Sequence, residues 1–135
     1  MSAEIVKCPV CWDKKSGDKM QAFSTGATRG KDEGKLDYEG FLSPFVLTRY
    51  AQYLNEHRID ADGNTRESDN WQKGMPRHKY MKSILRHLFD AWKLWRQGAC
   101  NMNTSNKLFE DLLCAVLFNI MGLLHEILVG RDVRE

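Results

Sequence analysis

The sequence lacks the features that mark several large classes of protein. The stretch "MSAEIVKC" has no apolar core, so we expect no secretory signal. The longest apolar stretch, residues 112–124, is interrupted by Asn119 and is too short to cross a bilayer. Four cysteines without a secretory context fit a reducing compartment. We therefore expect a cytoplasmic protein that does not contact a membrane.

The chain also lacks a strong net charge. Its 20 Lys and Arg residues nearly balance 18 Asp and Glu residues, which leaves a formal charge of +2. A chain with this balance is not a general binder of polyanions, so no nucleic-acid partner is expected. The distribution of charge is uneven, however, because Asp90 is the single acid between Trp71 and Phe109. That segment predicts a local positive field.

Complete catalytic or metal-binding motifs are absent. Cys8 and Cys11 form one C-x-x-C pair, but no second pair follows at the spacing of a structural zinc site. The two cysteines are either free thiols or half of a zinc site completed by a distant His or another subunit. The "GATRGKDEG" stretch lacks the spacing of a phosphate-binding P-loop. No Ser/His/Asp or Cys/His arrangement can be recognised.

Internal repeats and alternating strand patterns are missing too, whereas helical spacing of apolar residues is clear. The pattern predicts helices over about residues 44–57, 77–97 and 105–128. We predict an all-α fold, a short helical bundle over residues 36–135 that is preceded by a flexible arm over residues 1–35. A chain this short often buries further surface by forming an oligomer.

A long polar segment, residues 59–76, separates the first two predicted helices. Asp62-Gly63 predicts a turn within it, and a loop of this length is usually functional or disordered. Trp71 in such a polar loop requires a partner surface. The second helix carries an apolar stripe at helical spacing: Met81, Leu85, Leu88, Trp92 and Trp95.

The other side of the second helix has a polar stripe with His87 at its edge, namely Lys79, Lys82, Ser83, Arg86, Asp90 and Lys93. One interpretation is a solvated face. The alternative is an anion site in which Lys79, Lys82 and Arg86 hold phosphates while Asp90 holds a divalent cation. Phosphate chemistry uses this mixture because cations neutralise the oxygens and carboxylates position Mg²⁺ or Mn²⁺.

The third helix offers a second source of carboxylate. Five residues share an arc of about 80°: Asp111, Ala115, Asn119, Gly122 and Glu126. Small residues between acids indicate either a recess for a ligand or a close helix contact around a buried, hydrogen-bonded Asn. In the second case Asp111 is simply an acid favoured by the first turn of the helix.

Four blocks of the sequence resemble phage-encoded dATP/dGTP diphosphohydrolases, relatives of the MazG-like nucleotide pyrophosphohydrolases. The blocks are "GKLDYEGFLSP", "SDNWQKGMP", "YMKSILRHLFDAW" and "EDLLCAVLFNIMGLLHE", and the resemblance covers about residues 26–129. It implies an all-α dimer or tetramer that binds Mg²⁺ or Mn²⁺ and hydrolyses deoxynucleoside triphosphates to the monophosphate. It further implies that the enzyme adjusts the nucleotide pool of an infected bacterial cell.

The MazG-like pattern is E-x-x-E on one helix and E-x-x-D on the next. This chain has His87-x-x-Asp90 in the first position, and Glu110 and Asp111 followed by Cys114 in the second. The resemblance therefore implies a metal site of His87, Asp90, Glu110 and Asp111, of which His87, Asp90 and Asp111 form the predicted catalytic set. A histidine ligand favours Mn²⁺ over Mg²⁺. The missing carboxylates could come from a separate group of acids: Asp37, Glu39 or Glu126.

The same resemblance assigns roles in substrate binding. Trp71 would stack on the purine of dGTP or dATP, and Asn70 or Asn119 would bond the edge of the base. Alternatively, Trp71 anchors its loop to the core. We expect a metal-dependent purine deoxynucleoside triphosphate pyrophosphohydrolase. The rival hypothesis is a small helical binding protein that uses the basic helix face to hold nucleic acid or a partner protein.

Overall fold

The computed structural model describes residues 19–99 and 106–135. Within these ranges the chain forms two compact units, residues 19–44 and residues 45–135 without the undescribed loop. Four α-helices account for most of the ordered backbone. The prediction of a mostly helical fold is confirmed. Cys8, Cys11 and Cys100 lie outside the described residues.

The first unit contains a hairpin that the sequence did not predict. Strands β1 (Met20–Ala22) and β2 (Thr28–Gly30) pair antiparallel, so the described part of the chain is not strictly all-α. Strands of three residues are too short to show the alternation that identifies a strand in sequence. A one-turn helix, α1 (Tyr38–Phe41), follows, and the side chain of Asp37 caps it by accepting a hydrogen bond from the Gly40 backbone N–H.

The second unit is built from three longer helices, whose bounds match the sequence prediction closely. They are α2 (Pro44–Glu56), α3 (Arg77–Arg96) and α4 (Lys107–Leu128). The side chain of Asn106 caps α4 by accepting a hydrogen bond from the Phe109 backbone N–H at 3.1 Å. Beyond the end of α4, Gly130 takes a positive φ of 69°, as is usual for a residue that terminates a helix.

The polar segment between α2 and α3 is ordered locally. Asp60 accepts hydrogen bonds from the backbone N–H groups of Asp62 and Asn64, and Gly63 has a φ of +82°. The predicted turn is therefore present. Further along, a 3₁₀ helix (Asn70–Lys73) leads into α3.

Close contact between α3 and α4 forms the centre of the second unit. Tyr80 lies against Phe118 and Gly122, whereas Trp95 lies against Phe109, so the two helices run antiparallel. A Cβ atom on Gly122 would lie 2.6 Å from Cζ of Tyr80. The small-residue strip of α4 therefore serves a close helix contact, and the side chain of Tyr80 fills the predicted recess.

The apolar stripe of α3 lies largely outside this contact, which it reaches at its end through Trp95. Its five residues, Met81 through Trp95, are all exposed, whereas Tyr80 and Ala91 are the buried residues of the helix. Periodicity shows that a helix has an apolar face, but it does not tell which neighbour covers that face.

Helix α4 extends beyond the apolar stretch of residues 112–124 at both ends. It has 22 residues with a mean hydropathy of 1.7 in its best window, which suffices by length and composition to cross a membrane. The expectation that the chain does not contact a membrane stays a prediction, because length and composition do not test it. The packed helix of a soluble protein passes the same test, and Asn119 and Glu126 are buried along α4.

Candidate functional site

A group of alternating charges joins α2 to α4. Arg49 Nε donates to Glu110 Oε2 at 2.7 Å, and Arg49 Nη2 donates to Asp111 Oδ1 at 2.6 Å. Lys107 Nζ lies 2.9 Å from Asp111 Oδ2 and 3.1 Å from Glu56 Oε2. These five residues are named the α2–α4 charge cluster. It brings three carboxylates and two cations together at the surface of the second unit.

The local sequence explains how the cluster forms. Arg49 and Glu56 are the only Asp, Glu, Lys or Arg residues of α2, and their spacing of two helical turns places them on the same face. The first turn of α4 supplies Lys107 and Glu110, and Asp111 follows directly after it. Hydrogen bonds to Lys107 and Arg49, in that order of importance, hold the pKa of Asp111 below its usual range.

The cluster lies above a partly apolar layer. Cys114, one turn beyond Glu110, is buried, and burial raises the pKa of its thiol. Tyr50 is also buried, with its hydroxyl 3.5 Å from Met121 Sδ. Asp111 retains 22% of its side-chain exposure and Glu110 retains 41%. The carboxylates are thus accessible to a ligand, while buried side chains beneath them hold α2 and α4 together.

The described residues do not complete a metal site within one chain. In residues 19–99 and 106–135, no three His, Cys, Asp or Glu side chains lie close enough to share an ion. Glu110 and Asp111 are neighbours but bind Arg49, and Asp111 also binds Lys107. A divalent ion would have to compete with these two cations for its ligands. The residues present therefore do not fit a preformed metal centre.

The other predicted metal ligands lie on α3. Asp90 is exposed, and its Oδ1 accepts from Lys93 Nζ at 2.7 Å. That hydrogen bond is the main reason that the pKa of Asp90 is lowered, and His87 contributes a smaller favourable interaction. His87 itself is half-buried. Asp90 therefore pairs with a lysine of its own helix, and no described contact joins it to the carboxylates of α4.

The predicted phosphate-binding residues form an exposed row on α3. Lys79 Nζ lies 3.0 Å from Glu135 Oε1, and Lys82 adds to the positive field that lowers the pKa of Glu135. Arg86 donates to the Ser83 hydroxyl at 2.9 Å. The row is exposed to solvent, and the acidic side chain of Glu135 already pairs with it.

Each of the predicted base-binding residues has a partner within the protein. Trp71 packs edge-on against His125 of α4, with ring centroids 4.9 Å apart, as its loop-anchor alternative requires. Asn70 accepts a hydrogen bond from Lys73 within the 3₁₀ helix. Asn119 is buried and donates to the Ala115 carbonyl of its own helix at 2.7 Å. The amide of Asn119 therefore follows the close-packing alternative.

Sequence reasoning missed an ion pair between Glu126 and Arg131 at the end of α4. Glu126 is fully buried, and its two carboxylate oxygens each accept from Arg131 at 2.6 Å. Arg131 also donates to the Gln72 carbonyl, and Arg77 donates to the Arg131 carbonyl. Glu126, Gln72, Arg77 and Arg131 are named the C-terminal clamp. An acid in an apolar helix followed five residues later by Arg was the available signal.

Comparisons with protein families, curated proteins and solved structures find no match to this chain.

Proposed function

We propose that the chain hydrolyses purine deoxynucleoside triphosphates, dGTP or dATP, to the monophosphate with the help of Mg²⁺ or Mn²⁺. The proposal places the enzyme in the cytoplasm of a phage-infected bacterium, where it would adjust the nucleotide pool, and expects a homo-oligomer. Its basis is the sequence resemblance together with one structural observation. That observation is the α2–α4 charge cluster, in which carboxylates and cations from two helices meet at an accessible surface.

The composition of the cluster suits phosphoanhydride chemistry. Triphosphates carry several negative charges, so a site that binds them needs cations such as Arg49 and Lys107. A carboxylate beside them can orient a water or contribute to a metal site. Catalysis of this type depends mainly on positioning and electrostatic stabilisation, which a fixed group of charges provides. Because the residues that the structure describes form no complete metal site, the ligands of the ion stay a prediction.

The geometry changes the ranking of the predicted residues. Asp111 belongs to the cluster, so it is the strongest candidate for a catalytic or metal-binding carboxylate. Asp90 lies on α3, where it pairs with Lys93. It would join the cluster between α2 and α4 only after that ion pair opens. Arg49, which the resemblance did not single out, joins the proposed substrate-binding residues because it contacts both Glu110 and Asp111.

A second hypothesis, a binding protein without catalytic activity, is favoured by the exposed basic row of Lys79, Lys82 and Arg86. Such a protein would bind nucleic acid with an affinity that falls steeply as salt increases and that needs no divalent metal. The hydrolase requires the metal and releases a monophosphate. The two hypotheses therefore differ in both product and cofactor.

The deciding experiment incubates the purified chain with each of the four deoxynucleoside triphosphates, with Mn²⁺ or with EDTA, and separates the products by chromatography. We expect metal-dependent formation of dGMP or dAMP. Absence of turnover with all four nucleotides, together with salt-sensitive binding of DNA, would replace the hydrolase by the binding protein.

Three matched variants test the site itself. Asp111→Asn should lower kcat by at least about a hundredfold, and Asp90→Asn should do the same if its carboxylate joins the metal site. Asp132→Asn is the control, since this exposed acid pairs only weakly with Arg134 at 3.6 Å. Circular dichroism must show equal helical content in all three variants. Wild-type turnover in Asp111→Asn would refute the assignment of the cluster.

A further inference from the structure

The segment that follows α4 folds back over the start of α3. Gly130 lies just beyond the helix, and the backbone N–H of Arg131 then donates to the Glu126 carbonyl at 2.9 Å. The side chain of Arg131 donates to the Gln72 carbonyl at 2.9 Å as well as to the buried Glu126 carboxylate. Arg77, the first residue of α3, donates to the Arg131 carbonyl at 3.0 Å. The segment is therefore attached to α4, to the 3₁₀ helix and to α3.

The residues beyond Arg131 continue along the start of α3. Val133 is half-buried, and its Cγ2 atom would lie 3.0 Å from a Cβ atom on Gly74, so these two residues are in close contact. Further along, Glu135 Oε1 lies 3.0 Å from Lys79 Nζ, and Glu135 Oε2 lies 3.8 Å from His78 Nε2. The attached segment thus places a carboxylate beside the side chains of the first turn of α3.

The carboxylate of Glu135 lies at one end of the basic row of α3. The three cations of this row, Lys79, Lys82 and Arg86, are spaced by three and four residues, so they share one face of the helix over about 10 Å. All three side chains are exposed. The hydrogen bond from Lys79 is the main reason that the pKa of Glu135 is lowered, and the charge of Lys82 makes a smaller contribution. Two cations of the row therefore act on the same internal anion.

This internal anion makes the same kind of contact that an external phosphate would make. Carboxylate and phosphate oxygens both accept charge-assisted hydrogen bonds from a lysine ammonium group. A phosphate that approaches the row meets the negative charge of Glu135, and Lys79 already has an acidic partner. Lys79 and Glu135 retain 53% and 61% of their side-chain exposure, so their ion pair opens at little cost. Such a contact lowers the affinity for an anion without abolishing binding.

We propose that residues 131–135 form an autoinhibitory strap, in which Glu135 competes with phosphate-bearing ligands for the basic row of α3. The inference goes beyond the proposed hydrolysis, because it concerns which anion occupies the row and not which reaction follows. The ligand class is a chain of phosphates, either a polyphosphate or the backbone of a nucleic acid, since cations in a line match negative charges in a line. Attachment of the strap makes the competition efficient, because an anchored carboxylate has a high effective concentration.

Binding measured without a divalent metal tests the strap separately from any hydrolysis. Inorganic tripolyphosphate is titrated by calorimetry, and a fluorescein-labelled oligodeoxythymidylate is followed by anisotropy, both in EDTA and at low ionic strength, where exposed charges are screened least. The two probes separate a small polyphosphate from a nucleic acid. Glu135→Gln should bind at least one probe about two- to fivefold more tightly than the wild type, because it loses one exposed ion pair that competes with the ligand.

Asp132→Asn is the matched control, because it removes the same charge from an exposed acid that pairs with Arg134 at 3.6 Å, and it should bind both probes with nearly wild-type affinity. In a Lys79→Ala background the advantage of Glu135→Gln should disappear, because the competing ion pair is already lost. Equal gains from Glu135→Gln and Asp132→Asn would overturn the proposal, since net charge alone would explain them. A gain that persists without Lys79, no gain from Glu135→Gln, or no binding of either probe would overturn it as well.

Discussion

Removing the cation of the C-terminal clamp provides the sharpest test of how the second unit is held together. In Arg131→Met the aliphatic part of the side chain is kept, but the carboxylate of Glu126 loses both of its 2.6 Å hydrogen bonds. Glu126 is fully buried, so its carboxylate has no direct contact with bulk water. The variant therefore isolates a carboxylate inside the protein.

The expected cost follows from that burial. Breaking a buried ion pair by removing one partner costs about 3–5 kcal/mol, because the remaining charge is uncompensated. Because Arg131 retains 33% of its side-chain exposure, the pair is partly screened by water. We therefore expect a loss of unfolding free energy at the lower end of this range, about 3 kcal/mol. The double variant Arg131→Met/Glu126→Gln removes the stranded charge. It should recover a large part of that loss.

The pH dependence has a definite sign. In the wild type the hydrogen bond from Arg131 holds the pKa of Glu126 below its usual range. This contribution to stability is present above the ordinary carboxyl pKa and is lost as the pH falls through the lowered value. In Arg131→Met, burial without the cation should raise the pKa of Glu126. Protonation then removes the unpaired buried charge, so the variant regains stability. The difference in stability between the two proteins should shrink as the pH falls from neutral.

Urea unfolding followed by circular dichroism measures these differences. The matched control is Arg134→Met, because Arg134 lies three residues further along and is 89% exposed, so this variant should match the wild type within about 0.5 kcal/mol. If Arg131→Met loses no more stability than Arg134→Met at neutral pH, the buried pair does not exist as described. A deficit that grows towards acidic pH would contradict the pKa argument.

Three further substitutions test the contacts of α3 and α4. The Tyr80 hydroxyl is buried without a hydrogen-bond partner among the described residues, so Tyr80→Phe should leave the urea midpoint unchanged or raise it. A loss of stability above about 1 kcal/mol would instead show that the hydroxyl makes a hydrogen bond. Gly122→Ala places a Cβ atom against the Tyr80 ring and should cost about 1–3 kcal/mol by the same assay, whereas a gain from helix propensity would show that the ring moves freely. Trp71→Ala loses the contact with His125 and should lower Tm by several degrees in a thermal melt. A raised KM for dGTP with an unchanged Tm would instead indicate stacking on the base.

Local sequence patterns were sufficient for the helices of the second unit. Pro44 at the first position of α2, Asn106 as the cap of α4 and Gly130 beyond its end are local signals that act over a few residues. The turn around Gly63 belongs to the same class. These features depend on backbone geometry and on hydrogen bonds between near neighbours, so a single sequence contains the information that determines them.

Tertiary contacts were harder to predict because they depend on which faces meet. The polar row of α3 suggested that Asp90 holds a divalent cation, but Asp90 pairs with Lys93 one turn away on the same helix. Arg49 was overlooked although it binds Glu110 and Asp111, residues more than sixty positions later in the chain. Charge spacing on α2 put Arg49 and Glu56 on one face, but spacing within one helix cannot identify the helix that lies opposite.

The two groups of acids on α4 differ in what their burial allows them to do. Glu126 is enclosed and held by both Nε and Nη2 of Arg131, so displacing that cation would strand a charge in the interior. Asp111 divides its two oxygens between Arg49 and Lys107 and keeps part of its surface in water, so exchanging a partner there costs much less. A site that must release one cation to receive a phosphate or a metal needs the second arrangement. This physical difference, rather than the presence of carboxylates alone, makes Asp111 the better candidate for a chemical role and Glu126 the better candidate for a structural one.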